Sequence, residues 1–207
     1  DEAGRAFHNN SWANNEMNLQ TGQLEEHENL LPTPESVYKM TDPDWIVQAL
    51  KDDLALNMFM YAQGNVSDLD MKGVRNLATC LGFESRGLDD SQPPRALIEQ
   101  LLNSYAFAAT KVILTKAKEF ADRNGKKLLV VLFDPSRVMK PLVEGKPRYD
   151  QVIVDFLRKH QFLYFDMNLV HVEDYKNFKI PFDQYTKRYF IGHYSPPGNH
   201  FFAYAIK

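Results

Sequence analysis

The stretch "KKLLVVLFD", residues 126–134, decides how the second half of this sequence is read. Leu128 to Phe133 is an unbroken apolar run of leucine, valine and phenylalanine, bounded by lysines on one side and Asp134-Pro135 on the other. It lacks the apolar/polar alternation of a strand with one wet face, so it predicts a strand buried on both faces. Gly125 in front is a natural helix stop, and Asp134-Pro135 behind is a turn signal.

Moving upstream from that run, Ile98, Leu101, Leu102, Tyr105, Ala109, Val112, Ile113, Ala117 and Phe120 recur three and four apart. That spacing predicts a long helix over 94–123. Downstream, Tyr149, Val152, Ile153, Phe156 and Leu157 mark a helix over 148–160, and "FLYFDMN", residues 162–168, reads as a second buried strand. Helix, strand, helix, strand is the repeating unit of a parallel α/β sheet. In such sheets ligands bind outside the carboxyl ends of the strands. The loops after Phe133 and after Asp166 are therefore where chemistry is expected. Asp134, Ser136 and Arg137 either line that cleft or form an Asp-Pro turn that ends the strand.

Towards the N-terminus, "TDPDWIVQALKDDLALNMFMYAQG", residues 41–64, carries an Asp-Pro start, amphipathic spacing and a Gly64 stop, which predicts one helix. Residues 69–94 read as a glycine- and proline-bearing loop with one short helix. Residues 1–42 are polar and predict an irregular arm packing through Trp12, Leu30 and Leu31. The expected organisation is thus an arm over 1–42 and a single domain over 43–207.

Composition excludes several classes. The 207 residues are 44% hydrophobic and 25% charged, with a formal charge of -3, ordinary globular usage. No Lys/Arg-rich stripe offers a nucleic-acid footprint, and no apolar run approaches the roughly 20 residues that cross a bilayer. Cys80 is the sole cysteine, which rules out an internal disulfide or a multi-cysteine zinc site. Its flanks, "LATCLGF", predict a buried thiol. The sequons at Asn9 and Asn65 carry weight only on a secretory route, and compartment stays open. The start "DEAGRAFHNN" is expected to be a processed or truncated terminus. Neither a GxGxxG nor a GxxxxGK[ST] phosphate loop occurs, which argues against a nucleotide-binding Rossmann-like protein. His171, Glu173 and Asp174 lack a second histidine at metal-ligand spacing and read as a solvated loop. No cofactor or metal is called for.

The last stretch, "FIGHYSPPGNHFFAYAIK" over 190–207, places Ser195 as an N-cap and Pro196 at the first helical position, a strong helix-start pair. That capping leaves His193 without a role. "GHYSPPGNHFFAYAI" resembles the last block of the SGNH (GDSL-like) hydrolases: an acid, a histidine, a serine- or asparagine-proline turn, then a helix containing alanine. On that resemblance His193 falls on the catalytic histidine, Ser195, Pro196, Gly198 and Asn199 on the turn, and Ala203 on the alanine. The order of elements from residue 94 onwards agrees with the second half of that fold. The resemblance implies a three-layer α/β/α parallel sheet of the flavodoxin-like type, incomplete here because two strands do not make such a core. It also implies a serine ester hydrolase acting on small-molecule or carbohydrate esters, in which an imidazole accepts the serine proton and a carboxylate fixes its tautomer.

Two departures matter. No Gly-Asp-Ser motif occurs, and "GFESRG" around Ser85 has the wrong glycine spacing for a nucleophile elbow. The acid expected before His193 falls on Phe190 or Ile191, so the carboxylate is sought at Asp183, the nearest aspartate of the preceding segment, or at Asp174. An N-terminal fragment or second chain is expected to complete the fold and bring the serine. The alternative is a non-catalytic module of the same type that binds a carbohydrate or a protein.

Overall fold

Most apolar runs of this chain fold as helices. The structure, a computed structural model, describes residues 14–27, 30–84, 86–88, 90 and 92–207. Two compact units divide it, residues 1–113 and 114–207.

The three-layer α/β/α parallel sheet does not form. Among the described residues, sheet structure is confined to two short pairs, the antiparallel β1 (Asn14–Met17) with β2 (Leu24–His27) and the parallel β3 (Leu129–Leu132) with β4 (Leu163–Asp166). A further strand would need another strand-length apolar run, and the intervening segments carry helix caps instead. Helical layers therefore do not sandwich β3 and β4. Their paired first residues, Leu129 and Leu163, remain 41% and 59% exposed, against the both-faces burial that the apolar run predicts.

In the first unit, the helix expected over 41–64 is two helices. Asp42 caps α1 (Pro43–Leu50), accepting from the N–H groups of Asp44 and Trp45. The chain then restarts at α2 (Leu54–Gln63), because the Asp53 carboxylate accepts from Leu56 N–H at 2.8 Å. A capping aspartate competes well with helix continuation, and a second one stands where the apolar periodicity ran on unbroken. Gly64 ends α2 in the left-handed conformation at φ 81°. Residues read as mostly loop hold a full helix, α3 (Met71–Leu81), capped by Asp70.

The core of this unit joins Met58, Tyr61, Val74, Leu77, Ile98 and Leu101. Met17 of β1 enters the same core, its N–H donating to the Tyr105 hydroxyl at 3.1 Å. The polar arm is thus anchored by Met17, whereas Leu30 is 45% exposed. Trp12, Asn9 and Ser85 lie outside the described residues. Cys80 is half-buried with its thiol 3.5 Å from the Leu19 carbonyl.

The long helix α4 (Arg95–Arg123) runs across the division between the units. The second unit continues through β3, a π-helical turn (Pro135–Met139), α5 (Lys140–Val143), α6 (Gln151–Lys159) and β4. The segment read as a long loop before His193 holds two helices, α7 (Met167–Tyr175) and α8 (Phe182–Tyr189), and α9 (Pro196–Ile206) closes the chain. No helix among the described residues is long and apolar enough to cross a membrane.

Candidate functional site

The parallel register sets Leu132 beside Asp166, so both strands of the second unit release their chains at one end. Asp134 ends the first strand as a turn: one carboxylate oxygen accepts from Ser136 N–H at 3.0 Å and Arg137 N–H at 2.7 Å. Its own N–H donates to the side-chain oxygen of buried Asn168 at 2.7 Å. Asn168 in turn donates to Asp166 at 3.0 Å. Arg148 closes the set, forked on Asp150 at 2.6 and 2.9 Å and also bonded to Asp166. Burial alone would lower the Arg148 pKa, but hydrogen bonds to Asp150 and Asp166 hold it above the ordinary value. A guanidinium fixed between two carboxylates clamps the end of β4, at Asp166, to Asp150 at the start of α6. The sequence reading missed it. Its signal was the arginine and aspartate of "RYD", residues 148–150, ahead of the aspartate that ends the second strand in "YFD".

Behind these strand ends sits His171, fully buried in α7. The solvated-loop reading of this segment is overturned, because His171 is ringed by Phe133, Tyr185, Tyr189, Phe190, Tyr194 and Phe201. Nδ1 lies 2.9 Å from the Tyr185 hydroxyl and Nε2 lies 3.1 Å from that of Tyr194. Tyr185 donates to Asp174 at 2.9 Å, so its oxygen accepts from Nδ1–H, and Nε2 accepts from Tyr194. Burial, against a weaker opposing pull from Asp174, lowers the His171 pKa to about 4, so the ring is neutral near pH 7. Burial likewise raises the Tyr194 phenol, which stays protonated and able to donate. Both ring nitrogens are taken, and no cluster of three or more His, Cys, Asp or Glu among the described residues could hold a metal.

His193 stands in front of this cluster on a short turn. Phe190 and Tyr194 form a bridge, with Ile191 N–H donating to the His193 carbonyl at 2.8 Å and Ser195 N–H to the Tyr189 carbonyl at 2.7 Å. Gly192 allows the reversal at φ 93°, a region other residues adopt at a cost. Ser195 caps α9 as its position predicts, accepting from Gly198 N–H at 3.2 Å while donating to the Arg188 carbonyl at 2.9 Å. The exposed His193 ring puts Nδ1 at 2.9 Å from the Tyr194 carbonyl oxygen. A carbonyl only accepts, so in the neutral ring Nδ1 carries the proton and Nε2 the lone pair.

A cleft of about 630 Å³ opens beside this turn. Its lining brings together His193, Asp183 and Ser136, residues singled out from three separate segments, with Lys140 and Lys187. Phe133, Phe182 and Phe190 supply its apolar wall. Asp183 lies in the first turn of α8 and reaches this cleft, but the hydrogen bond at His193 Nδ1 goes to Tyr194. Asp174 is committed to Tyr185 and Tyr189. Ile191 is 64% exposed. Ser136 and Arg137 N–H groups both serve Asp134, so neither is free to stabilise an oxyanion. No family model, curated protein or solved structure matches the chain.

Proposed function

We propose that this chain carries the general-base half of a serine ester hydrolase, with His193 as the base. The observation that carries the reading is the bond from His193 Nδ1 to the Tyr194 carbonyl, on the rim of an open cleft. It supplies what a triad acid supplies, a defined tautomer with Nε2 free to accept a proton. Ile191 in the acid's place is then tolerable, because a backbone acceptor does the orienting.

In the reaction, the serine oxygen adds to the ester carbonyl as its proton passes to Nε2. That proton is returned to the departing alkoxide as the carbon–oxygen bond breaks, and water then cleaves the acyl-enzyme by the same route. Ser136 shares the cleft, but its neighbouring N–H groups are occupied. Ser136 is therefore not taken as the nucleophile, and a separate segment or second chain is proposed to bring the serine. The mixed lining, aromatic through Phe133, Phe182 and Phe190 and cationic through Lys140 and Lys187, suits a small or carbohydrate-linked carboxylic ester.

The test is His193→Ala in the complete protein with a p-nitrophenyl ester. Hydrolysis is expected to fall by about a thousandfold or more. Undiminished turnover would leave the binding-module alternative standing instead.

A further inference from the structure

We propose that Tyr194 and buried His171 are the positioning pair for His193: the hydroxyl of Tyr194, held by His171, fixes the backbone carbonyl that sets the His193 tautomer. The proposal rests on the reading of His193 as the base.

His193 is exposed, and the hydrogen bond described for its ring is the one to the Tyr194 carbonyl. Its orientation is therefore only as good as that of Tyr194. The Tyr194 ring is held on several sides, against Phe133 at 4.8 Å, Phe190 at 4.6 Å and Phe202 at 5.3 Å. Stacking leaves a ring free to slide in its own plane. The bond to His171 Nε2 at 3.1 Å supplies the directional stop. Gly192, two residues earlier, gives the turn a flexible point, so a loosened Tyr194 would let the carbonyl swing away from Nδ1.

His171 is suited to this duty because its own tautomer is set. Asp174 accepts from Tyr185, Tyr185 accepts from Nδ1–H, and Nε2 is left as an acceptor. The groups facing the ring are Tyr185, Tyr189 and Tyr194, with Asp174 one bond away and phenylalanines elsewhere. Its depressed pKa keeps Nε2 unprotonated across the neutral range. Polar groups this deeply buried are costly unless every partner is present, and here the side-chain bonds donate in one direction, from Tyr194 on the His193 turn through His171 and Tyr185 to Asp174.

The experiment compares wild-type chain with Tyr194→Phe, which keeps the ring and the backbone carbonyl and removes only the hydroxyl. Imidazole nitrogen NMR of isotope-labelled histidine reads the His193 tautomer directly. Wild type is expected to show the Nδ1–H form, and the variant to populate the Nε2–H form to about a third or more. In the complete protein kcat on p-nitrophenyl acetate is expected to fall about tenfold with KM within about twofold, the mark of misorientation. His171→Asn is expected to shift the tautomer in the same way. An unchanged His193 tautomer in Tyr194→Phe overturns the proposal. If His193→Ala keeps its activity, the base reading fails separately, and the tautomer comparison alone decides the positioning role.

Discussion

The carbonyl oxygen of Tyr194 accepts a hydrogen bond from Nδ1 of the residue before it, His193, at 2.9 Å. A carboxylate is the usual partner for a general-base imidazole. Here the adjacent backbone occupies that position, although Asp183 lines the same cleft.

On the proposed reading of His193 as the base, Asp183 is dispensable for orienting it. Asp183→Asn is expected to change kcat on a p-nitrophenyl ester by less than about threefold, against losses of about ten-thousandfold where the acid orients the ring. A large fall would transfer the acid's role to Asp183.

Acid should destabilise the second unit by way of His171. Its folded pKa of about 4 lies below the ordinary histidine value of 6.5, so the unfolded chain takes a proton that the native ring refuses. Stability is unaffected above the unfolded value. It is lost progressively as pH falls from about 6.5 towards 4, by about 3 kcal/mol in all. Urea midpoints measured across that window should show the slope, and His171→Asn should flatten it. Equal slopes in both proteins would refute the assignment.

Gly198 is needed for space. A methyl group there would stand 2.3 Å from the Tyr189 carbonyl oxygen and 2.6 Å from the Tyr194 ring. The first obstacle is backbone and cannot rotate away. Gly198→Ala is expected to lower stability by about 1–3 kcal/mol in a thermal melt, with chemical-shift changes concentrated at residues 189–195.

Breaking the clamp at the end of β4 should be more damaging. Arg148→Ala leaves Asp150 and Asp166 largely buried without their cation, a loss expected to cost about 3–5 kcal/mol by chemical denaturation. An apolar replacement of all three groups would be far milder, because no uncompensated charge remains.

Much of the local structure was legible in the residue order. Asp42, Ser195 and Gly64 each announce a helix end and each is found doing so. The parallel strand runs and the long α4 also lie close to where periodicity places them. Asp53 was misjudged because apolar spacing continued through it, and a cap outranks spacing when its carboxylate reaches a free N–H. The sheet was misjudged for a different reason. Two apolar runs of strand length imply a buried sheet only if other strands exist to cover them.

His193 was singled out by the resemblance of its block to the SGNH hydrolases, and Asp183 by nearness in sequence. His171 was passed over. Nothing in "VHVEDYK" says whether the helix turns its histidine inward, since that depends on Tyr185, Tyr194 and Phe133 arriving from other segments.

The sequence by itself determined the caps at Asp42, Gly64 and Ser195 and the approximate extents of α4, α6 and α9, because those depend on hydrogen bonds between residues a few positions apart. Only the tertiary structure decided that His171 is buried, that Arg148 bridges Asp150 and Asp166, and that Ser136, Asp183 and His193 share one cleft. Those outcomes depend on contacts whose cost is the closing of long loops and the drying of polar groups, and no short window of residues contains both partners.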